Sequence, residues 1–85
     1  MNDEMLIVKA YVEISSYRVK TVKAIGDDIK TPTQIAKDSG IQRNHMSKVL
    51  KELKEKEVVE CLNEEMRKGR LYRLTEKGRE LNKVI

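Results

Sequence analysis

The segment Thr31-Pro32-Thr33-Gln34-Ile35-Ala36-Lys37-Asp38-Ser39-Gly40-Ile41 constrains this 85-residue chain more than any other. It spells a short helix and a sharp turn. Thr31 is a helix-capping residue type. Pro32 takes the first helical position, where its missing N–H costs nothing, and Gln34 stands where it can reach back to the cap. Ile35 and Ala36 are the inward-facing residues. Gly40 supplies the positive φ that the turn needs. Ile41 and Met46 then stand at the spacing of a hydrophobic staple around a second helix, expected from about Gln42 to Lys56. Gln42 is a poor cap by type. Met46, Val49, Leu50 and Leu53 make the apolar stripe of that helix, with Arg43, Asn44, Ser47, Lys48 and Lys51 on its other side.

The flanking segments extend the pattern. Ser15 is the expected cap of an earlier helix, with Ile14 and Val19 at staple spacing and Val19, Val22 and Ile25 recurring along one face. Gly26 with Asp27-Asp28 ends it. Downstream, Val58 to Leu62 and Leu71 to Leu74 read as strands, with polar Asn63 to Arg70 between them and Gly69 near the tip or at a bulge. Thr75 can cap a last helix carrying Leu81, Val84 and Ile85. Met5 to Ile14 is apolar with interruptions at Lys9 and Glu13, and its length and β-branched content allow strand or helix. The expected fold is mainly α with a small β-hairpin, in the order α-α-α-β-β-α. Residues 15–85 form its one domain, and residues 1–14 form an N-terminal apolar segment that is a candidate dimer contact. No internal repeat, low-complexity tract or linker interrupts the chain.

Charge is unevenly placed. Lys and Arg number 18 against 14 Asp and Glu, a net +4. Residues 67–79 hold six cations (Arg67, Lys68, Arg70, Arg73, Lys77, Arg79) against the one carboxylate of Glu76, a net +5 that exceeds the charge of the whole chain. Such clustering points to a polyanionic partner. One cysteine excludes an intrachain disulfide framework. The N-terminus is acidic and polar at Asn2, Asp3 and Glu4, so no signal peptide is expected. The longest apolar stretch, Met5 to Val12, falls far short of the ~20 residues that cross a bilayer. A soluble cytoplasmic protein without membrane contact is the expectation.

The spacing Ala36…Gly40…Met46 resembles the helix-turn-helix signature, in which a small residue lets two helices cross, a glycine turns the chain and an apolar residue anchors the second helix. With the basic hairpin and the string Leu74-Thr75-Glu76-Lys77-Gly78, the chain resembles the winged-helix transcriptional regulators, in particular the MarR-like and ArsR-like groups, over roughly Ser15 to Leu81. By that resemblance Gln42, Arg43, Asn44, Ser47, Lys48 and Lys51 match recognition-helix positions that face DNA. Arg67, Lys68 and Arg70 match the tip of the wing. Thr33 and Gln34 match the start of the supporting helix, which often touches a phosphate. Three features depart from the pattern. Glu57 stands where the family usually has glycine. Glu64 and Glu65 bring negative charge into the wing. The long terminal helices that build the MarR-like dimer and effector pocket are missing, so no small-molecule effector is expected.

Side-chain chemistry agrees. Arg43 can fork onto guanine O6 and N7, and Asn44 can pair with adenine N6 and N7. Ser47, Lys48 and Lys51 can hold phosphates, and wing arginines suit a narrow minor groove. The reading is a double-stranded DNA-binding regulator acting as a homodimer on a pseudo-palindrome, with the final Leu81, Val84 and Ile85 as a second candidate contact. The alternatives are a protein-docking module, a non-specific architectural binder, and recognition of double-stranded RNA or Z-form duplex. No cofactor and no enzymatic activity are expected. His45 reads as a surface or packing histidine, Cys61 as a small buried hydrophobe, Lys54 and Lys56 as solvated, and Tyr11, Tyr17 and Tyr72 as core or interface aromatics.

Overall fold

The computed structural model describes residues 2–85. Its elements are α1 (Asp3–Glu13), α2 (Ser16–Ile25), α3 (Pro32–Ser39), α4 (Arg43–Glu55), β1 (Val59–Cys61), β2 (Tyr72–Leu74) and α5 (Glu76–Asn82). The order α-α-α-β-β-α is therefore present from residue 16, preceded by one more helix. The N-terminal segment resolves as that helix. Asn2 caps it by accepting from the Met5 N–H at 2.8 Å, and Val8 and Val12, four residues apart on one face, are buried.

Short polar caps start most of the helices. Ser15 accepts from the Arg18 N–H at 3.3 Å and Thr75 from the Gly78 N–H at 3.0 Å. Thr31 and Gln34 form the expected capping box, the Gln34 amide N–H donating to the Thr31 hydroxyl at 3.2 Å and the Thr31 N–H to Gln34 Oε1 at 2.9 Å. α4 begins at Gln42 with no side-chain cap.

One core joins all seven elements. Val8 and Val12, Val22 and Ile25, Ile35 and Ala36, the α4 stripe, Val59, Leu74 and Leu81 pack together with Ile41 and Val58. Arg18 ties three helices across its edge. It donates to the Tyr11 carbonyl at 2.7 Å, lies 3.7 Å over the Tyr11 ring and pairs with Glu52 of α4 at 3.4 Å.

The hairpin pairs Val59 with Leu74 and Cys61 with Tyr72, antiparallel. Lys30 adds a one-residue third strand, exchanging backbone hydrogen bonds with Tyr72 at 3.0 and 2.9 Å. At the junction of α4 and β1, Glu57 takes φ 60°, so a residue with a side chain is held in the left-handed region that favours glycine. The Glu57 carbonyl accepts from the Thr75 hydroxyl at 2.6 Å. Gly78 presses on the same junction, where an added Cβ would sit 2.1 Å from the Val58 carbonyl oxygen. Lys77 bonds to Glu4 and lies 3.6 Å from Glu57, joining α5, α1 and this turn. That bond holds the Glu4 carboxyl below, and the Lys77 ammonium above, its ordinary range.

Several expectations need correction. Ile14 does not staple to Val19. It caps α1 in helical conformation and remains 82 % exposed, because the chain leaves α1 before Ser15 turns it. α5 stops at Asn82, so Val84 and Ile85 lie beyond the helix; Ile85 touches the core and Val84 is exposed. The strands are three residues each, shorter than the apolar runs. Cys61 is half-buried, and Tyr17 is exposed.

Candidate nucleic-acid interface

The turn between α3 and α4 is closed from within. The Gly40 N–H donates to the Ala36 carbonyl at 3.0 Å, and the Ser39 hydroxyl donates to that carbonyl and accepts from the Ile41 N–H. Gly40 sits at φ 75°, in the left-handed region. The turn delivers Ile41 and Met46 to the core, so the stapling expected there is present.

Burial of Met46, Val49, Leu50 and Leu53 fixes the rotation of α4. At 100° per residue, Asn44, Lys48 and Lys51 then point outward, Arg43 and Ser47 turn toward the hairpin, and His45 turns toward α2. The hairpin side forms a groove of about 540 Å³. Thr33 of α3, Arg43, Ser47 and Lys51 of α4, and Arg67, Lys68 and Arg70 of the hairpin loop line it together. A smaller cleft of about 270 Å³ opens on the other flank, where Lys48 meets Tyr17 and His45, whose ring centroids lie 5.6 Å apart. Gln34 lies outside both, beside Lys37 and Asp38. Gln42 is exposed at the helix start.

Cations without a carboxylate partner gather on this surface, although Lys20, Lys23, Lys37, Lys56, Arg79 and Lys83 elsewhere also lack one. Among the described residues, Lys9, Arg18, Lys30, Lys54, Arg73 and Lys77 each have a carboxylate partner. Arg43, Lys48, Lys51, Arg67 and Lys68 have none within 4.0 Å. Arg43 Nε donates to the Thr33 hydroxyl at 3.2 Å, which orients the guanidinium and leaves its two terminal nitrogens for a forked contact. The N-terminal end of α4 adds the positive pole of its macrodipole beside Arg43.

Arg70 is used differently from its neighbours. Its Nε donates to the Met66 carbonyl at 2.7 Å and a terminal nitrogen to the Glu64 carbonyl at 3.1 Å, so it braces the loop. Asn63 closes the same loop, accepting from the Leu71 N–H at 2.8 Å and donating to the Gly69 carbonyl at 3.2 Å. Glu64 pairs with Lys54, which ties the loop to α4 and spends one of its two acidic charges.

A family model described as winged helix-turn-helix matches residues 18–85, most of the chain. The chain belongs to the winged helix-turn-helix family. Domains of this family bind DNA. No curated protein and no solved structure matches the chain. In winged-helix terms α3 and α4 are the helix-turn-helix, α4 is the recognition helix, the β1–β2 loop is the wing, and Lys30 supplies the short strand beside it.

Sequence reasoning missed four features of this winged helix. Thr33 serves as the acceptor that sets Arg43. Arg70 and Asn63 organise the wing from inside. Lys54 lines the groove edge while paired with Glu64, and Tyr17 joins the far flank. Only Asn63 carried a signal, as a turn-forming type at the end of a strand. Neither the recognition helix nor any other helix among the described residues is long and apolar enough to cross a membrane. No group of three metal-ligating side chains converges among them.

Proposed function

We propose that this chain is a sequence-specific double-stranded DNA-binding transcriptional regulator, cytoplasmic and without catalysis of its own. The observation that carries the reading is convergence: Arg43, Lys51, Arg67 and Lys68, none with a carboxylate partner, line one groove between the recognition helix and the wing, with Lys48 on the helix's outer face. A 13-residue helix about 20 Å long and 10–12 Å across fits a major groove about 12 Å wide. Arg43 and Asn44 would then read base edges, Ser47, Lys48 and Lys51 would hold phosphates on either side, and Arg67 and Lys68 would reach the next phosphate or the minor groove. Gln42 would lie at the mouth of the groove. Thr33 would act through Arg43, Gln34 would approach the backbone from the start of α3, and Arg70 would keep the wing in shape. A single module contacts few bases, so the reading includes a homodimer on a two-fold-related site.

The test is duplex binding by fluorescence anisotropy across a salt series, coupled to selection from a randomised library. Four cation–phosphate contacts per copy, from Lys48, Lys51, Arg67 and Lys68, give a log–log salt slope near roughly −3.6 for each copy bound. A steep slope with enrichment of a two-fold-related motif supports the regulator. A steep slope without enrichment replaces it with an architectural role. Preference for double-stranded RNA or Z-form duplex reassigns the ligand, and no binding at low salt reassigns the surface to an acidic protein partner.

A further inference from the structure

Helix α1 is apolar on two opposite faces. Val8 and Val12 enter the core. At 100° per residue, Leu6, Ile7, Ala10 and Ile14 fall together on the other side, with Asp3 at the N-terminal end of that stripe and Glu13 at its edge. Leu6, Ile7 and Ile14 are 52, 67 and 82 % exposed. Scattered surface aliphatics need no explanation, but a continuous stripe of them on one short helix does. We propose that this stripe binds a second copy of the chain, α1 packing antiparallel on its symmetry mate about a two-fold axis at Ala10.

The stripe is self-complementary. Leu6 lies four residues before Ala10 and Ile14 four after it, so each Leu6 meets the partner's Ile14 and the small Ala10 lets the helices approach at the axis. The charges fit the same alignment. Lys9 and Glu13 occupy one flank, 2.8 Å apart within the helix. In an antiparallel pair identical flanks face each other, which brings Lys9 level with the partner's Glu13 to within about 3 Å along the axis. A parallel pair would instead set that flank against Glu4 and Tyr11 and align the two macrodipoles. An anionic bilayer is a poor occupant, because Asp3, Glu4 and Glu13 sit on the same helix.

A helix of 11 residues is about 16 Å long, so the contact falls below the roughly 1,200 Å² at which standard-size interfaces begin. The dimer is accordingly weak and concentration-dependent, and it gains strength when both copies sit on one duplex. It does not compete with the DNA surface. α1 meets the recognition helix at its C-terminal end, where Lys56 Nζ lies 5.0 Å from the Tyr11 ring centroid, and Arg43 stands at the other end. The proposal rests on the regulator reading only for its use on DNA; the contact itself is tested without it.

Sedimentation equilibrium of the intact chain, carried to about 1 mM, reads the association directly. The expected result is a reversible monomer–dimer equilibrium that Ile14→Glu weakens at least tenfold, with an unchanged thermal unfolding transition because the side chain lies outside the core. Disulfide capture in a Cys61→Ser background fixes the alignment: Ala10→Cys captures itself, and Leu6→Cys is captured by Ile14→Cys in preference to itself. A monomer at the highest concentration, an Ile14→Glu dimer as tight as the parent, or preferential capture of Leu6→Cys by itself would overturn the proposal. A dimer that binds no DNA leaves the contact standing and removes the regulator reading, whereas a monomer that selects a DNA sequence does the reverse.

Discussion

The two exposed ends of this molecule handle charge in opposite ways. On the surface of the recognition helix and wing, Arg43, Lys48, Lys51, Arg67 and Lys68 carry no carboxylate partner. On the side of α1, Lys9 pairs with Glu13 and Lys77 with Glu4 and Glu57, and beside the exposed carboxylate of Asp3 the surface is aliphatic at Leu6, Ile7 and Ile14. Both sides are rich in charged residues, so composition does not separate them. What separates them is that one gathers unpaired cations and the other an aliphatic stripe among mostly paired charges. A free cationic surface favours a polyanion at long range, while a neutralised surface with an aliphatic stripe favours a contact made by desolvation.

The comparison breaks most severely at Gly78, which holds both sides at once. Its helix carries Lys77 to α1, and its backbone lies against Val58, where the chain enters the wing. Gly78→Ala drives a Cβ into a backbone carbonyl that cannot swing aside, and should cost about 2–3 kcal/mol in denaturant unfolding. Unchanged stability would mean that the close approach is not obligatory.

On the cationic side, two substitutions should differ in kind. Arg43→Ala should cost about 1–3 kcal/mol on the selected sequence and relax preference at one base position. Lys68→Ala should weaken all sequences alike and make the salt slope shallower by about 0.9. Equal losses on selected and random DNA for both variants would erase the distinction between base reading and phosphate holding. Thr33→Val, which removes the acceptor of Arg43 Nε, should give a smaller loss of about 0.5–1.5 kcal/mol confined to the selected sequence. A loss that is the same on random DNA would assign Thr33 to the phosphate instead.

Between the two sides, Glu57→Gly relieves a left-handed residue and should stabilise the fold by no more than about 1 kcal/mol, since glycine adds freedom to the unfolded chain. A destabilised variant would show that the Glu57 contact with Lys77 outweighs the strain. The smallest effect is the pH dependence of the Glu4–Lys77 pair. The Glu4 carboxyl titrates below its ordinary value of 4.5 in the folded chain, so its contribution is present above 4.5 and fades as pH falls through the lowered value. The Lys77 ammonium titrates above 10.5, so its contribution is present below 10.5 and fades at higher pH. The stability difference between the parent and Glu4→Gln should therefore be flat between about pH 5 and pH 10 and shrink outside that window. A difference that persists unchanged in acid would remove the pair from the account.

Local chemistry made much of the fold legible in the sequence. The capping box at Thr31 and Gln34, the turn at Gly40, the stripe Met46-Val49-Leu50-Leu53 and the cap at Thr75 act within four residues, and each appears in the structure as read. Met5 to Ile14 did not declare itself, because an apolar run with two charged interruptions suits either a strand or a helix until packing chooses. Ile14 misled for a related reason. The staple spacing to Val19 was right, but the path of the chain out of α1 decides where that side chain points, and it points to solvent.

By itself the sequence determined which segments are helices and strands from residue 15 onward, and which side of the second turn helix is polar, because periodicity and capping are properties of neighbouring residues. Only the tertiary structure decided which cations stay free. Arg70 is spent on the carbonyls of Met66 and Glu64 and Lys54 on Glu64, while Arg43 is oriented by Thr33, ten positions earlier. Whether a charged group is paired depends on what the fold brings within hydrogen-bonding distance, and a one-dimensional pattern does not encode that distance.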